Sequence, residues 1–439
     1  MKKDIIAKLD SRKVGQEMYQ LIEKLYPICR SITGDGLRDT LKVIKKIVPI
    51  KIHNVPSGTK VFDWIIPEEW NIKDAYVKNS RGKKIIDFKK SNLHVLNYSA
   101  PIKKRVRLSE LKKHLYTLSD QPDAIPYLAS YYKKQWGFCL SYNQFKKLRD
   151  DVYDVFIDAS HKKGHLTYGE LFIKGYKADE MLLSTYICHP SLCNDNLSGI
   201  TLLTFLAKKL LKRKLEYSYR FLFIPETIGS ITWLSLNKNK VSNIKHGLIV
   251  TCVGDAGNLT YKKSRDGNNI IDKAVEKILI DSKDKYKVLD FFPTGSDERQ
   301  FCSPGFNLPI GSLMRTPYGH FKEYHTSKDN LNFVKPKYLA DSFKKYLQII
   351  QLIENNHAYL NLNQYCEPQL GKRGIYESLG ARKKGAINEV AMLWVLNLSD
   401  GNNSLLDIAM RSGIAFNDIL TAVNILIEHK ILKQKKHKK

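Results

Sequence analysis

The feature that most constrains the fold of this chain is an apolar strand that runs directly into small and polar residues. Residues 181–187 predict a buried strand, and residues 197–211, with leucines at helical spacing, predict the helix that follows. His189 and Asp195 lie between them. Side chains at the carboxyl ends of strands line the ligand crevice of an open α/β sheet. Because imidazole and carboxylate are zinc ligands, this segment indicates a metal-binding strand end in an α/β fold.

Further polar segments follow the same arrangement along the chain. One apolar strand runs into Glu226, and the next runs into Asp255. Two later segments, residues 295–301 and 323–329, carry acidic residues and His325. In a chain that alternates strands and helices, these groups are expected to meet at one crevice. Together they predict a metallohydrolase centre.

The order of these residues resembles that of the M28-type zinc aminopeptidases. The matching pieces are Asp195-Asn196-Leu197-Ser198-Gly199, Glu226 with Gly229, Ser296-Asp297 with Phe301, Gly305 and Pro309, and His325-Thr326 with Asp329. Residues 188–191, 225–230 and 323–327 are more similar still to a bacterial subgroup, the DUF4910 group. Its members are described as aminopeptidase-like proteins with an inserted domain (DUF2172) and a C-terminal winged helix, often associated with polysaccharide biosynthesis. The resemblance covers nearly the whole chain.

The departures from the M28 pattern define the predicted site. The Asp that usually follows the first His by two residues is Ser191 here. The usual Glu-Glu pair, a general base followed by a zinc ligand, is Glu226-Thr227, and the usual Asp of the next strand aligns near Thr251. Asp255 and Thr227 are therefore kept as additional ligands or as groups that orient ligands.

The resemblance leaves His189, Asp195 and His325 as the ligands of zinc. Three protein ligands and an open position are typical of a catalytic mononuclear zinc. Glu226 is then expected beside the attacking water as the general base.

Four downstream residues are expected to line the substrate crevice: Asp297, Glu298, Arg299 and Arg315. Arg315 suits a carboxylate or phosphate, because its planar guanidinium binds two oxygens at once. The loss of an acidic ligand at Thr227 leads to the hypothesis of an amide other than a free-amine peptide, such as an acylated amino sugar.

Structural alternatives exist for each residue. His189 is equally readable as a strand-end histidine and Glu226 as a favourable charge at a helix N-terminus. Asp255 fits a turn, and Asp297 with Glu298 fits a helix N-cap pair. A second function is therefore kept, a catalytically degenerate aminopeptidase fold that binds a glycan or a protein partner. A third is a DNA-binding regulator that uses the old active site as a sensor.

The predicted fold class is α/β, with a zinc-aminopeptidase-like (phosphorylase/hydrolase-like) three-layer catalytic domain. Residues 1–54 and 151–358 are predicted to form this discontinuous domain. Residues 55–150 read as an inserted small β-rich, DUF2172-like domain, and residues 370–436 as a winged helix-turn-helix domain. Aromatic residues of the inserted domain favour either its core or a carbohydrate platform: Tyr127, Tyr131, Tyr132, Trp136, Phe138, Tyr142 and Phe145.

The winged helix admits two kinds of partner. A helix-turn-helix pattern indicates DNA binding. However, the expected recognition helix at residues 415–430 contains no Arg, so protein or intramolecular docking is the favoured alternative. The oligomeric state is left open, with a homo-oligomer among the options.

Composition limits the remaining classes. The net charge of +28 arises mainly from lysines spread over all 439 residues, so it is read as compositional rather than as a nucleic-acid surface. No apolar run approaches 18 residues, so no membrane-spanning helix is predicted. The seven Cys show no Cys-x-x-Cys pair, and the N-terminus lacks a signal-peptide core. These features predict reduced thiols and a cytoplasmic protein. The resemblance to aminopeptidases implies a small peptide or amide-bearing substrate, such as an amino sugar.

Overall fold

The computed structural model describes residues 5–6, 9–375 and 389–435. The chain divides into two compact units. The larger unit contains residues 9–267 and 287–344, and the smaller unit contains residues 1–8, 268–286 and 345–439.

The larger unit contains most of the strands. Its helices are Ser11–Leu25, Asp35–Lys45, Leu108–Leu111, Tyr142–Lys146, Gly199–Leu210, Ile228–Asn237 and Glu298–Phe301. Its main sheet has the order Lys51–Pro56, His165–Ile173, Ser218–Ile224, Glu180–Tyr186, Ile244–Val250, Ile310–Met314, Leu259–Lys262 and Tyr286–Leu289. Short two-stranded pairs are Lys60–Val61 with Trp64–Ile65 and Leu115–Tyr116 with Phe138–Cys139.

The centre of the main sheet is parallel. Glu180–Tyr186 pairs in parallel with Ser218–Ile224 on one side and with Ile244–Val250 on the other. Ile310–Met314 continues the parallel set. Every residue of Glu180–Tyr186 is buried, as expected for a parallel strand that is covered on both faces. The carboxyl ends of four strands therefore lie along one edge, where the predicted site residues follow.

The first of these strands leads into helix Gly199–Leu210 through a tight turn at Cys193–Ser198. A side chain at position 199 would place its Cβ 2.4 Å from the Val250 carbonyl oxygen, so glycine allows the helix to approach the neighbouring strand. The predicted helix at 197–211 thus begins two residues later, because the turn before it is used to present Asp195.

A second, antiparallel sheet has the order Lys84–Asp87, Glu69–Lys78, Val152–Lys162 and Ile102–Arg107. Residues 152–157 were expected to belong to the catalytic domain. Their strand instead pairs with strands of the inserted region, and the chain then turns into His165–Ile173 of the main sheet. An alternating apolar pattern identifies a strand but not its partner, which is why this assignment differs.

The smaller unit contains the winged helix. Its three-stranded sheet has the order Asp400–Ser404, Ala358–Asn361 and Leu432–Gln434. Its helices are Ile270–Ser282, Glu389–Leu398, Leu405–Ser412 and Phe416–Glu428, and helix Pro336–Asn355 divides between the units at Lys345. The central strand at 358–361 precedes the predicted start at residue 370. Residues 376–388 and 436 of the predicted 370–436 domain lie outside the described residues.

No helix in the described parts of the chain is long and apolar enough to cross a membrane.

Candidate metal centre

Asp195 lies on the turn between strand Glu180–Tyr186 and helix Gly199–Leu210, and it is fully buried. The peptide bond to Asn196 is cis. The Asp329 carboxylate fixes this turn, because it accepts hydrogen bonds from the backbone N–H of Asn194 (2.6 Å) and of Asp195 (2.9 Å). Burial raises the pKa of Asp329 to about 8, although these two hydrogen bonds act in the opposite direction.

His189 directly follows the same strand and is held through its backbone. The fully buried Arg30 donates from Nε to the His189 carbonyl oxygen at 2.8 Å and from Nη1 to the Leu25 carbonyl oxygen at 2.7 Å. Burial lowers the pKa of His189 to about 4, so its imidazole is neutral at pH 7, the form that binds metal.

His325 is held in a left-handed backbone conformation, with φ at 52°. The Tyr127 N–H donates to the His325 carbonyl oxygen at 2.7 Å, and the Tyr324 ring stacks on the imidazole at 3.9 Å. The Tyr127 ring also packs edge-on against both His325 and His189, with centroids 5.1 Å apart in each case. Strained backbone of this kind is concentrated at functional sites.

The three predicted ligands converge. His189, Asp195 and His325 offer ligand atoms that all lie within 4.8 Å of one another. Asp195 Oδ2 lies 3.0 Å from His325 Nε2, and both atoms are buried with no further partner among the described residues. Such atoms are costly to bury, and a cation between them would satisfy both. Two imidazoles and a carboxylate therefore fit zinc.

The ionisation of Asp195 agrees with this role. Burial acts to raise its pKa, but His189 and His325 oppose it and hold the pKa of Asp195 at about 2. The carboxylate is therefore charged at neutral pH, as a metal ligand must be.

Glu226 lies beside this group at the end of strand Ser218–Ile224. Its Oε2 is 3.6 Å from His189 Nε2, and its side chain is 24% exposed, so it is open to a pocket. Burial, together with the charges of Asp297 and Asp195, raises its pKa well above the usual value for Glu. A carboxyl group with this shift is suited to exchange protons during catalysis.

Ser191 stands where an Asp usually orients the first His, but its hydroxyl bonds to other groups. The Ser191 hydroxyl donates to the Tyr26 carbonyl oxygen at 2.6 Å and accepts from Asn92 Nδ2 at 2.8 Å. His189 Nδ1 is buried without a hydrogen-bond partner in the described chain. The position of His189 therefore depends on the backbone contact with Arg30.

A hydroxyl network lies on the other oxygen of Asp195. Tyr186 Oη donates to Asp195 Oδ1 and lies 2.7 Å from Thr251 Oγ1. Thr251 is the residue near which the usual acidic ligand was expected to align. Because Tyr186 bonds Oδ1, Asp195 offers its other oxygen, Oδ2, to a metal.

Thr227, kept as an additional ligand, is engaged elsewhere. Its N–H donates to Asp297 Oδ1 at 2.7 Å, and its hydroxyl accepts from Arg299 Nη2 at 3.1 Å. Its φ is 62°, and it lies immediately before helix Ile228–Asn237.

A pocket of about 300 Å³ opens beside His189 and Glu226. Arg299 lines it, and the inserted region contributes Trp64, Tyr131 and Tyr132. The aromatic residues of the inserted region therefore lie in two places. Phe138 lies in the core of the second sheet, whereas Tyr131 and Tyr132 line the pocket.

Two of the predicted crevice residues lie behind the pocket. Asp297 is fully buried, and its Oδ1 also accepts from Ser230 Oγ at 2.9 Å; burial raises its pKa to about 7. Glu298 is fully buried and accepts from Lys262 Nζ at 2.6 Å and from Tyr318 Oη at 2.8 Å. Neither residue lines the pocket, which corrects the prediction for both.

Arg315 and Asp255 also form internal contacts. Arg315 donates to Asp341 Oδ2 at 2.8 Å and to the Gly257 carbonyl oxygen at 2.9 Å, so its guanidinium is already occupied. Asp255 accepts from the Thr316 hydroxyl and N–H and from the Gly257 N–H. The structure places Asp255 in a turn, outside the group of three ligands, and Arg315 outside the pocket.

Sequence reasoning missed the roles of Tyr186 and Arg30. Tyr186 ends the predicted strand that leads to Asp195, and this position nine residues before Asp195 was the available signal. Nothing in the local sequence of Arg30 indicated a buried arginine bonded to the His189 carbonyl oxygen.

Comparison with known proteins identifies this fold as that of the zinc aminopeptidases. A zinc aminopeptidase from Bacillus subtilis superposes with a TM-score of 0.58 at 11% identity, covering 78% of this chain and 95% of that chain. The chain belongs to the family described as a domain of unknown function (DUF4910), which matches residues 19–356. A winged helix-turn-helix family matches residues 357–434.

Two comparisons with Clostridium acetobutylicum cover nearly the full length. One protein is 59% identical over 424 residues, covering 97% of this chain and 98% of its own, and is provisionally named as a polysaccharide biosynthesis protein with an aminopeptidase-like domain. A crystal structure, provisionally named as a peptidase, has a TM-score of 0.93 at 58% identity and covers 97% of this chain and 98% of that chain. The predicted family, α/β class and winged helix are confirmed, whereas the DUF2172 assignment of the insert stays a prediction.

Proposed function

We propose that this protein is a zinc-dependent hydrolase of amide bonds with one metal ion. His189, Asp195 and His325 hold the ion, and Glu226 is the general base. The observation that carries this proposal is the convergence of the three ligand atoms within 4.8 Å. The burial of Asp195 Oδ2 and His325 Nε2, which have no partner among the described residues besides each other, supports it.

The chemistry divides between the metal and the protein. A bound zinc ion supplies a Lewis acid for the scissile carbonyl and lowers the pKa of water. Glu226 accepts the proton of the attacking water on its carboxylate and returns it to the leaving nitrogen. Its raised pKa favours the first transfer, because a more basic carboxylate accepts a proton from water more readily.

A single metal ion is favoured by the residues around Asp195. Tyr186 occupies Asp195 Oδ1, and the acidic ligands of the M28 pattern are replaced by Thr227 and Thr251. Thr227 is itself bonded to Arg299. These contacts leave three protein ligands, the number typical of a catalytic zinc.

The name of the relative from Clostridium acetobutylicum supports a substrate in polysaccharide biosynthesis. An amide in such a pathway is a small peptide or an acylated amino sugar. A pocket of about 300 Å³ accommodates one such unit at the lower end of the usual range for ligand sites.

A second candidate function is a binding protein that has lost catalysis. It is favoured by the unpartnered His189 Nδ1, because orienting partners of zinc-binding histidines are important for metal affinity. Such a protein would bind its glycan or protein partner in the same pocket without turnover.

The deciding measurement is the zinc content of the purified chain by elemental analysis, with three matched variants. We expect about one zinc per chain in the wild type and in Glu226→Gln, and its loss in His189→Ala, because three ligands define the site. His165→Ala, which removes an exposed histidine outside the group, should retain zinc.

Activity against a panel of aminoacyl and acyl-amino-sugar amides then separates the two functions. Turnover by the wild type and its loss in zinc-loaded Glu226→Gln would support the hydrolase. Zinc binding without turnover on the panel would favour the binding protein, and no zinc after reconstitution would refute the metal centre. Two zinc ions per chain would refute the single-ion proposal.

A further inference from the structure

Arg299, at the edge of the proposed active site, forms no direct salt bridge with a carboxylate of the described residues, although its charge acts on nearby Glu226 and Asp297. Its Nη2 donates to the neutral Thr227 hydroxyl at 3.1 Å, and its Nε is buried without a partner among the described residues. By contrast, Arg315 and Arg220 bind carboxylates, of Asp341 in the first case and of Glu170 and Glu180 in the second. Because Arg299 lines the pocket, its guanidinium is suited to bind an oxygen anion of a ligand there.

The pocket contains little that would bind a positively charged ligand. Among the described residues that line it, Glu226 supplies the single carboxylate. That carboxylate is assigned to proton transfer, and the adjacent position is Thr227. A free ammonium group would therefore meet Arg299 rather than a second acid, whereas an acylated nitrogen is neutral and avoids this repulsion.

Aromatic side chains form one wall of the same pocket. Trp64 and Tyr132 both line it, with ring centroids 5.5 Å apart in an edge-to-face arrangement. They are 38% and 51% exposed, which is unusual for large rings and indicates a contact surface. Rings of this kind present flat apolar faces together with polar edges, which suits the apolar face and the hydroxyl groups of a sugar.

We propose that the substrate is an N-acylated amino sugar that bears a carboxylate or phosphate group. Arg299 binds the anionic group, Trp64 and Tyr132 pack on the sugar ring, and the amide reaches Glu226 and the metal centre. This inference rests on the proposed hydrolase function, and it adds the charge and the class of the substrate. Arg299 is thus a specificity-determining residue.

The test is a binding measurement that does not require turnover. Zinc-loaded Glu226→Gln would be titrated by calorimetry with N-acetylglucosamine 1-phosphate and with neutral N-acetylglucosamine. We expect the phosphorylated sugar to bind about tenfold more tightly or better, as a charge-assisted contact predicts. Inorganic phosphate should compete with the phosphorylated sugar.

Two variants assign the contacts. Adding Arg299→Gln should abolish the preference for the phosphorylated sugar and the competition by phosphate. Adding Trp64→Ala should weaken the binding of both sugars by about tenfold or less while preserving the ratio of their affinities. Arg81→Gln removes an exposed cation that does not line the pocket, so it should change neither the affinity for the sugars nor the preference for the phosphorylated one. Thermal unfolding of each variant establishes that it is folded.

Equal affinity for the two sugars, or a preference that survives Arg299→Gln in a folded protein, would overturn the anion proposal. Failure of both sugars to bind would overturn the sugar class. Failure of the hydrolase proposal would be distinguishable, because that proposal is tested by zinc content and turnover rather than by these affinities.

Discussion

At the scale of single residues, the two carboxylate oxygens of Asp195 have different partners. Oδ1 accepts a hydrogen bond from Tyr186, whereas Oδ2 faces His325. A metal ligand whose second oxygen is bonded by a buried hydroxyl is restrained in both position and charge. Tyr186 would therefore help to position the proposed metal ligand without itself binding the ion.

Tyr186→Phe tests this control. The substitution keeps the ring but removes the hydroxyl, so zinc affinity should fall by about 10- to 100-fold, the usual effect of losing a partner of a metal ligand. Zinc affinity would be measured by competition with a chelating dye. Tyr153→Phe is the matched control, because the Tyr153 hydroxyl is bonded to the Arg149 carbonyl oxygen in the second sheet. Equal affinity of wild type and Tyr186→Phe would contradict the assigned role.

At the scale of elements, helix Asp35–Lys45 is joined to strand Glu69–Lys78 by an arginine fork. Arg38 donates from Nη1 and Nη2 to the two oxygens of Glu69, at 2.8 and 2.5 Å. The Arg38 bonds lower the pKa of Glu69 to about 2, even though burial opposes them. The helix is thereby tied to the second sheet by a charge-assisted pair.

This pair predicts a pH-dependent contribution to stability. The pKa of Glu69 is depressed on folding, so the contribution is present above the unfolded value of about 4.3 and is lost as the pH falls toward 2. Glu69→Gln should therefore lower the free energy of unfolding by about 1–2 kcal/mol at pH 6, after allowance for solvent screening. The difference from wild type should shrink at pH 3.

Urea unfolding at the two pH values measures this difference. Glu110→Gln breaks an exposed pair with Lys104 and should have little effect at either pH. A Glu69→Gln deficit that is as large at pH 3 as at pH 6 would show that the loss is one of packing rather than of charge.

At the scale of the whole molecule, the proposed site and the winged helix belong to different compact units. All three proposed zinc ligands lie in the larger unit, as do Glu226 and the pocket. The smaller unit has a buried core of its own, which includes Leu405, Phe416 and Leu426. Ligand binding stabilises the part of a protein that forms the site.

Hydrogen exchange should therefore respond to zinc in one unit. We expect added zinc to slow exchange at residues 180–200 and 320–330, relative to protein treated with chelator, and to leave residues 389–435 unchanged. Mass spectrometry of peptides resolves these regions. His189→Ala should show no zinc-dependent protection, and equal protection in residues 389–435 would contradict the expected confinement.

The predictability of the site differs between residues for a physical reason. His189, Asp195 and Glu226 follow parallel strands, so their order in the sequence already places them at one edge of the sheet. Arg315 and Glu298 were misplaced because their charges are satisfied by Asp341 and Lys262, which lie far away in the sequence. Local spacing cannot reveal such partners.

The fold shows the same limit. The strand at residues 181–187 and the helix at residues 197–211 were predicted to within two residues of the observed Glu180–Tyr186 and Gly199–Leu210, because their periodicity is local. The partner of strand Val152–Lys162 and the strand Ala358–Asn361 of the smaller unit depend on pairing between distant segments. Periodicity gives no information on that pairing.

The backbone contact between Tyr127 and His325 constrains how such a protein can evolve. Residues 125–127 of the inserted region pair with residues 325–327, through Ile125, Tyr127 and Ser327. The insert is therefore a structural support of a proposed metal ligand rather than an exchangeable accessory. A shortened gene that lost this segment would lose the support for His325 as well, so the two parts are expected to be inherited together.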